Sequence, residues 1–154
     1  MSTSSAASVS SASFTSSAPS TSAIAGHDVA SLLLRLALGV MFIAHGLTKV
    51  LVWTLAGTGQ FFESIGLPAW VAWPITGLEL VGGVLLILGV RVRWVALILA
   101  AELVGASIPH LGNGWMFTAP DGGWEYPVFL AVTALALSLL DGGKLTLSRL
   151  IGRN

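Results

Sequence analysis

Cysteine is absent from the 154 residues. Disulfides, thiol redox chemistry, iron–sulfur clusters and thiolate metal sites are excluded with it. Charge is scarce too: Asp, Glu, Lys and Arg make up 9% of the chain, against about 25% in soluble domains. Seven acids balance seven Lys and Arg. No basic run occurs, so the chain lacks the electrostatic footprint of a nucleic-acid binder. There is no phosphate loop, no Gly–x–Ser–x–Gly elbow and no nucleotide fingerprint. Neither His–x–x–His nor Glu–x–x–His occurs, and no metal set is assigned. What is abundant is hydrocarbon, with 55% hydrophobic residues and a mean hydropathy of +0.87. The chain reads as an integral membrane protein whose partner is the lipid bilayer.

Residues 1–26 are a different material. They are nearly all Ser, Ala and Thr, without a charged side chain before His27 and Asp28. Too few large apolar groups are present to offset the entropy of ordering a backbone, so the segment reads as a disordered tail. It lacks the basic and apolar regions of a secretory signal and the arginines of a transit peptide.

Residues 27–148 hold four apolar blocks, at about 31–55, 70–90, 94–111 and 125–140, and 149–154 form a terminal tail. Each block approaches the ~20 residues that a helix needs to cross a bilayer. The runs are continuous rather than alternating, which favours helices over a barrel. The fold class is therefore all-α, a membrane-embedded four-helix bundle. Turn residues mark the breaks: Gly57-Thr58-Gly59 after the first block, Gly66-Leu67-Pro68 before the second and Gly89 to Arg93 between the second and third. Phe61, Phe62 and Ile65, beside Gln60, Glu63 and Ser64, fit a short helix lying on the membrane surface.

With four spans, Arg35, Arg91, Arg93, Lys144, Arg149 and Arg153 share one side, and Lys49 lies on the other. The positive-inside rule then places both termini in the cytoplasm, and the expected location is the inner (cytoplasmic) membrane. The opposite side holds Trp53, Trp70, Trp73, Trp115, Phe117, Trp124 and Tyr126, an aromatic belt.

Ionisable residues in spans are costly and mark function by default. Here they are Arg35, His45 and Lys49 in the first block, Glu79 in the second, Glu102 and His110 in the third, and Glu125 opening the fourth. Glu79 and Glu102 fall near the midplane. His45 and Lys49 are four apart and share a helix face. His45 lies about 6 Å outward of the midplane, which makes it the nearer cation for Glu79, with Arg35 further inward. The expected arrangement is a polar seam through the bundle, widest at its outer end. Plain structural roles compete with this: Arg35 and Lys49 snorkelling to headgroups, His110 capping a helix end and Glu125 favoured by a helix dipole.

The residues together resemble a family. Arg35-Leu36-Ala37-Leu38-Gly39 leads into His45-Gly46-Leu47-Thr48-Lys49. Glu79 with Gly82-Gly83, His110-Leu111-Gly112-Asn113-Gly114, Gly123-Trp124-Glu125-Tyr126-Pro127 and Asp141-Gly142-Gly143-Lys144 follow in order. This ordered set, over about residues 30–148, resembles the DoxX family of small four-helix membrane proteins. Glu102 departs from it, standing where an apolar residue such as Met is expected. The resemblance implies a redox-associated subunit with a quinone-type ligand and a membrane or peripheral redox protein as partner, and allows a homo-oligomer. On that reading His45, Lys49, His110 and Glu125 are the candidate quinone contacts, Glu79 and Glu102 the candidate proton relay, and Arg35 a structural or headgroup-binding residue. The competing reading is a non-enzymatic module that assembles partners or moves a small solute, because buried ionisable residues are as typical of transport paths as of redox sites.

Overall fold

The computed structural model describes residues 24–152. Most of the tail expected over 1–26 lies outside the described residues, as do 153 and 154. Six helices follow in order: α1 Gly26–Leu51, α2 Thr54–Ser64, α3 Ala72–Leu88, α4 Val92–Ser107, α5 Glu125–Leu140 and α6 Leu147–Leu150. Short 3-10 segments, Ala69–Val71 and Ile108–Asn113, lead into α3 and continue α4. No strand occurs among the described residues.

Three of these units are long and apolar enough to cross a membrane: Gly26–Leu51, Ala69–Leu88 and Val92–Asn113. The fourth, α5, has 16 residues. It rises about 24 Å, short of the ~30 Å hydrocarbon layer. Helices α1, α3, α4 and α5 form a ring. Helix α1 packs on α3 and α5, and α4 packs on the same two from the other side. The chain therefore alternates in direction, with Asp28 and Lys144 at one end and Lys49, His110 and Glu125 at the other.

The interior is built from modest side chains: Leu38 and Phe42 on α1, Leu86 on α3, Val92, Ala96, Leu99, Ala100 and Leu103 on α4, and Ala131, Ala134 and Leu137 on α5. Large apolar groups such as Leu33, Val40, Val81, Ile98, Phe129 and Leu139 point outward. In water such a surface would associate. In lipid it is the solvated face, and small interior residues let helices approach closely. The closest approach is between α1 and α3. A Cβ on Gly83 would lie 2.7 Å from the Gly39 carbonyl oxygen, and one on Gly39 would lie 2.8 Å from that of Gly83. Only glycine at both positions allows this crossing.

Several boundaries differ from the sequence expectation. Helix α1 begins at Gly26 rather than near 31, because Asp28 receives the Ala25 N–H in the manner of half a capping box. It ends at Leu51 rather than 55. The amides of Val52 and Trp53 both turn back to the Thr48 carbonyl, and Thr54 takes a left-handed φ of 62°. Gly57-Thr58-Gly59, expected to end the first helix, instead sits inside α2. The short surface helix expected near 60–65 is thus longer. It packs on α1 and α3, with Phe62 buried and Phe61 exposed. The final helix, Leu147–Leu150, straddles the boundary expected at 148.

Candidate functional site

Glu79 lies in the middle of α3 and is 3% exposed. Its Oε1 meets Lys49 Nζ at 2.5 Å, with side-chain exposures of 4% and 13%. The partner expected for Glu79 was His45, and that expectation is corrected. Rise per residue measures the depth of the backbone, whereas a lysine side chain spans more than a helical turn and leans back towards the N-terminus of its own helix. Lys49 therefore reaches down to Glu79 from a position near the end of α1. Gly46 helps: it sits against Leu80 and the Glu79 Cβ, so α1 and α3 touch closely beside the pair. A charge pair so removed from water is costly to form and costlier to break, since either partner alone would be an uncompensated buried charge.

Glu102 on α4 lies within electrostatic reach of both Glu79 and Lys49. One oxygen of each carboxylate, Glu79 Oε2 and Glu102 Oε2, is buried without a hydrogen-bond partner among the described residues. Thr76, one turn from Glu79 and 3% exposed, has an unpartnered Oγ1 as well.

His45 faces elsewhere. It is exposed, and its Nδ1 donates to the Met41 carbonyl at 2.9 Å. Its ring stacks on Tyr126 of α5, with centroids 6.2 Å apart and planes inclined by 26°. So His45 and Lys49, four residues apart, divide between two neighbours. Lys49 serves α3 and His45 serves α5.

At the Lys49 end lies the connection between α4 and α5. His110 Nδ1 donates to the carbonyls of Asp121 and Gly122 at 3.0 and 3.1 Å, and Asn113 Nδ2 donates to the same two at 3.1 and 2.9 Å. Glu125 Oε1 accepts the Phe117 N–H at 2.9 Å. Trp115 meets Trp124 edge-on at 4.5 Å. His110, Phe117, Gly122, Gly123, Tyr126 and Pro127 line an open-sided cleft of about 460 Å³. Because His110 and His45 each turn Nδ1–H to a carbonyl, their Nε2 atoms are acceptors when neutral.

The four candidate quinone contacts therefore do not converge. His110 lines the cleft, and His45 reaches its edge through Tyr126. Lys49 is held inside by Glu79, and Glu125 supports the loop. Among the described residues no three His, Asp or Glu gather as a metal set.

At the opposite end Arg35 is 1% exposed, with Nη2 donating to the Leu145 carbonyl. It turns to the chain's own loop, not to a headgroup. The loop passes Gly89, whose φ of 72° and missing side chain leave room for the guanidinium and Thr146. Asp28, fully buried, accepts the Lys144 N–H at 2.7 Å and lies 3.3 Å from His27 Nε2 and 3.9 Å from Lys144 Nζ. Sequence reasoning missed Asp28, because the first helix was started after it. It missed Tyr126 as well, grouping it with the aromatic belt. An acid in the third residue of a helix was the signal for the first; nothing local signalled the second.

A ring of four apolar helices with a buried ion pair at its centre defines a small multi-pass membrane protein. The chain belongs to the DoxX family, whose model, described as DoxX, matches residues 30–111. That match takes in α2, α3, α4 and nearly all of α1. The chain is also similar to a protein of Bacillus subtilis (strain 168) named "Putative oxidoreductase CatD", 37% identical over 118 residues, covering 73% of this chain and 79% of that protein. No solved structure matches it.

Proposed function

We propose that this DoxX-family protein is a redox-associated membrane subunit that takes a quinone-type ring in the cleft at the Lys49 end. The observation that carries the reading is the cleft of about 460 Å³ itself, apolar but edged by His110 and Tyr126, with His45 stacked behind Tyr126. A planar ring would lie against Phe117, Tyr126 and Pro127. The Tyr126 hydroxyl donates to a carbonyl oxygen, and the Nε2 of His110 accepts from a ring hydroxyl, so both oxidation states find a partner. The similarity to a protein named as an oxidoreductase supports the same class. No side chain here carries electrons by itself, so a protein partner or a cofactor supplies them.

The membrane is the cytoplasmic one and both ends of the bundle's chain face the cytoplasm. Arg91, Arg93, Lys144 and Arg149 cluster at the Asp28 end, as the positive-inside rule requires. The test is extraction of the detergent-purified protein, with mass spectrometry and an absorbance scan of the extract. A quinone near one per chain, reduced several-fold by Tyr126→Ala and His110→Ala, is expected. A stable protein complex with no ring compound bound would overturn the reading in favour of an assembly module.

A further inference from the structure

The trio at the centre of the bundle has a charge problem that its geometry also answers. Lys49 supplies one positive charge, Glu79 and Glu102 two negative ones. Among the described residues Arg35 is turned to Leu145 and His45 to Tyr126, Glu63 of α2 is exposed, and α5 beyond Tyr126 has no ionisable side chain. A net charge held in hydrocarbon is costly. One monovalent cation restores neutrality, and the smallest is a proton.

The two carboxylates stand level with each other. Gly82 of α3 packs directly on Leu99 of α4, where a Cβ would meet the Leu99 side chain at 3.0 Å. The helices run antiparallel. Glu79 is three residues before Gly82 and Glu102 three after Leu99, so the two acids stand at the same level and on neighbouring helices. Both Oε2 atoms are buried and unpartnered. Thr76 is the independent third member. Thr48, Thr58 and Thr133 each donate to the carbonyl four residues back on their own helix, at 2.8, 3.0 and 2.8 Å. The Thr76 hydroxyl does not; it is buried, unpartnered and one turn from Glu79. The Glu79 side chain leans towards that turn, as helical side chains do.

We propose that Thr76 Oγ1, Glu79 Oε2 and Glu102 Oε2 bind one water molecule, and that this site holds a single exchangeable proton against Lys49 as fixed counter-charge. Two to four polar partners suffice to hold a buried water. The transfer is balanced. Glu102 gives its proton to the water, the water gives one of its own to Glu79, and the reverse step restores the start. Lys49 stays an ammonium throughout and turns its pairing towards whichever acid is ionised. The site is thus a proton store within the membrane, and it does not depend on any ligand in the cleft.

Infrared spectroscopy of the full-length protein in lipid, without quinone or partner, tests this. The protonated carboxyl stretch is read in water and in D2O at neutral pH. The wild type should show one such group per chain, shifting on exchange into D2O. Glu79→Gln and Glu102→Gln should each abolish it, because the remaining acid then pairs with Lys49 alone. Lys49→Gln should raise it from one group to two. Helix content by circular dichroism qualifies each variant as folded. No protonated carboxyl in the wild type would overturn the proposal outright. A band that survives Glu79→Gln but not Glu102→Gln would assign the proton to Glu102 alone and overturn the sharing.

Discussion

Replacing Gly83 with alanine tests the crossing that sets the distance between α1 and α3. The new Cβ would stand 2.7 Å from the Gly39 oxygen and 2.8 Å from Ile43 Cγ1. Ordinary contact begins at 3.4 Å, so the helices must part by about 0.7 Å, from 2.7 to 3.4 Å, and one obstacle is backbone that cannot rotate away. Overpacking of this kind costs about 1–3 kcal/mol. Alanine returns at most about 1 kcal/mol of helix propensity. The net loss is therefore about 0–2 kcal/mol. Gly77, on the same helix, provides the internal control, because a Cβ there has no neighbour within 4 Å. Gly77→Ala keeps the propensity gain and lacks the clash. The two variants should differ by about 1–3 kcal/mol, with propensity cancelling between them. Reversible unfolding in mixed detergent micelles, followed by circular dichroism, measures the difference. Equal stabilities would refute the argument that the glycine crossing holds α1 against α3. Gly39→Ala, which meets the Gly83 oxygen at 2.8 Å, should behave as Gly83→Ala does.

Breaking the buried pair with Lys49→Met should cost about 3–5 kcal/mol, because Glu79 and Glu102 then have no counter-charge and both must be held protonated, and adding Glu79→Gln should recover part of it by removing one of the two acids; a double variant as unstable as the sum of the singles would contradict this. By contrast Glu79→Gln and His45→Gln remove groups with separate partners, so their effects on stability should add within about 0.5 kcal/mol in a double-mutant cycle. Asp28→Asn weakens the anchor of Lys144, and limited proteolysis should then cut the 141–146 loop faster than in the wild type; an unchanged digestion rate would mean that Asp28 does not hold the loop. Reporter fusions after residue 150 and in the 115–121 loop should report opposite sides, cytoplasmic for the first, and the reverse result would invalidate the proposed orientation.

Composition alone determined that this chain belongs in a membrane, because no water-soluble core accommodates so much hydrocarbon with so little charge. Continuous apolar runs and turn residues marked four apolar blocks, and the block at 125–140 coincides with α5. The cost of ionisable groups in lipid drew attention to Arg35, His45, Lys49, Glu79, Glu102, His110 and Glu125 alike, without any structure. What counting along the chain left undecided was how these groups pair. Residue spacing gives backbone depth, but Lys49 is four methylenes long, and only the packed α1–α3 interface shows it reaching Glu79 past the nearer His45. The same limit hid the Asp28 anchor and the His45–Tyr126 stack. Each joins residues far apart in sequence, with contact set by how neighbouring helices rotate, and that rotation is decided by the glycines at the crossing and the small side chains that fill the ring.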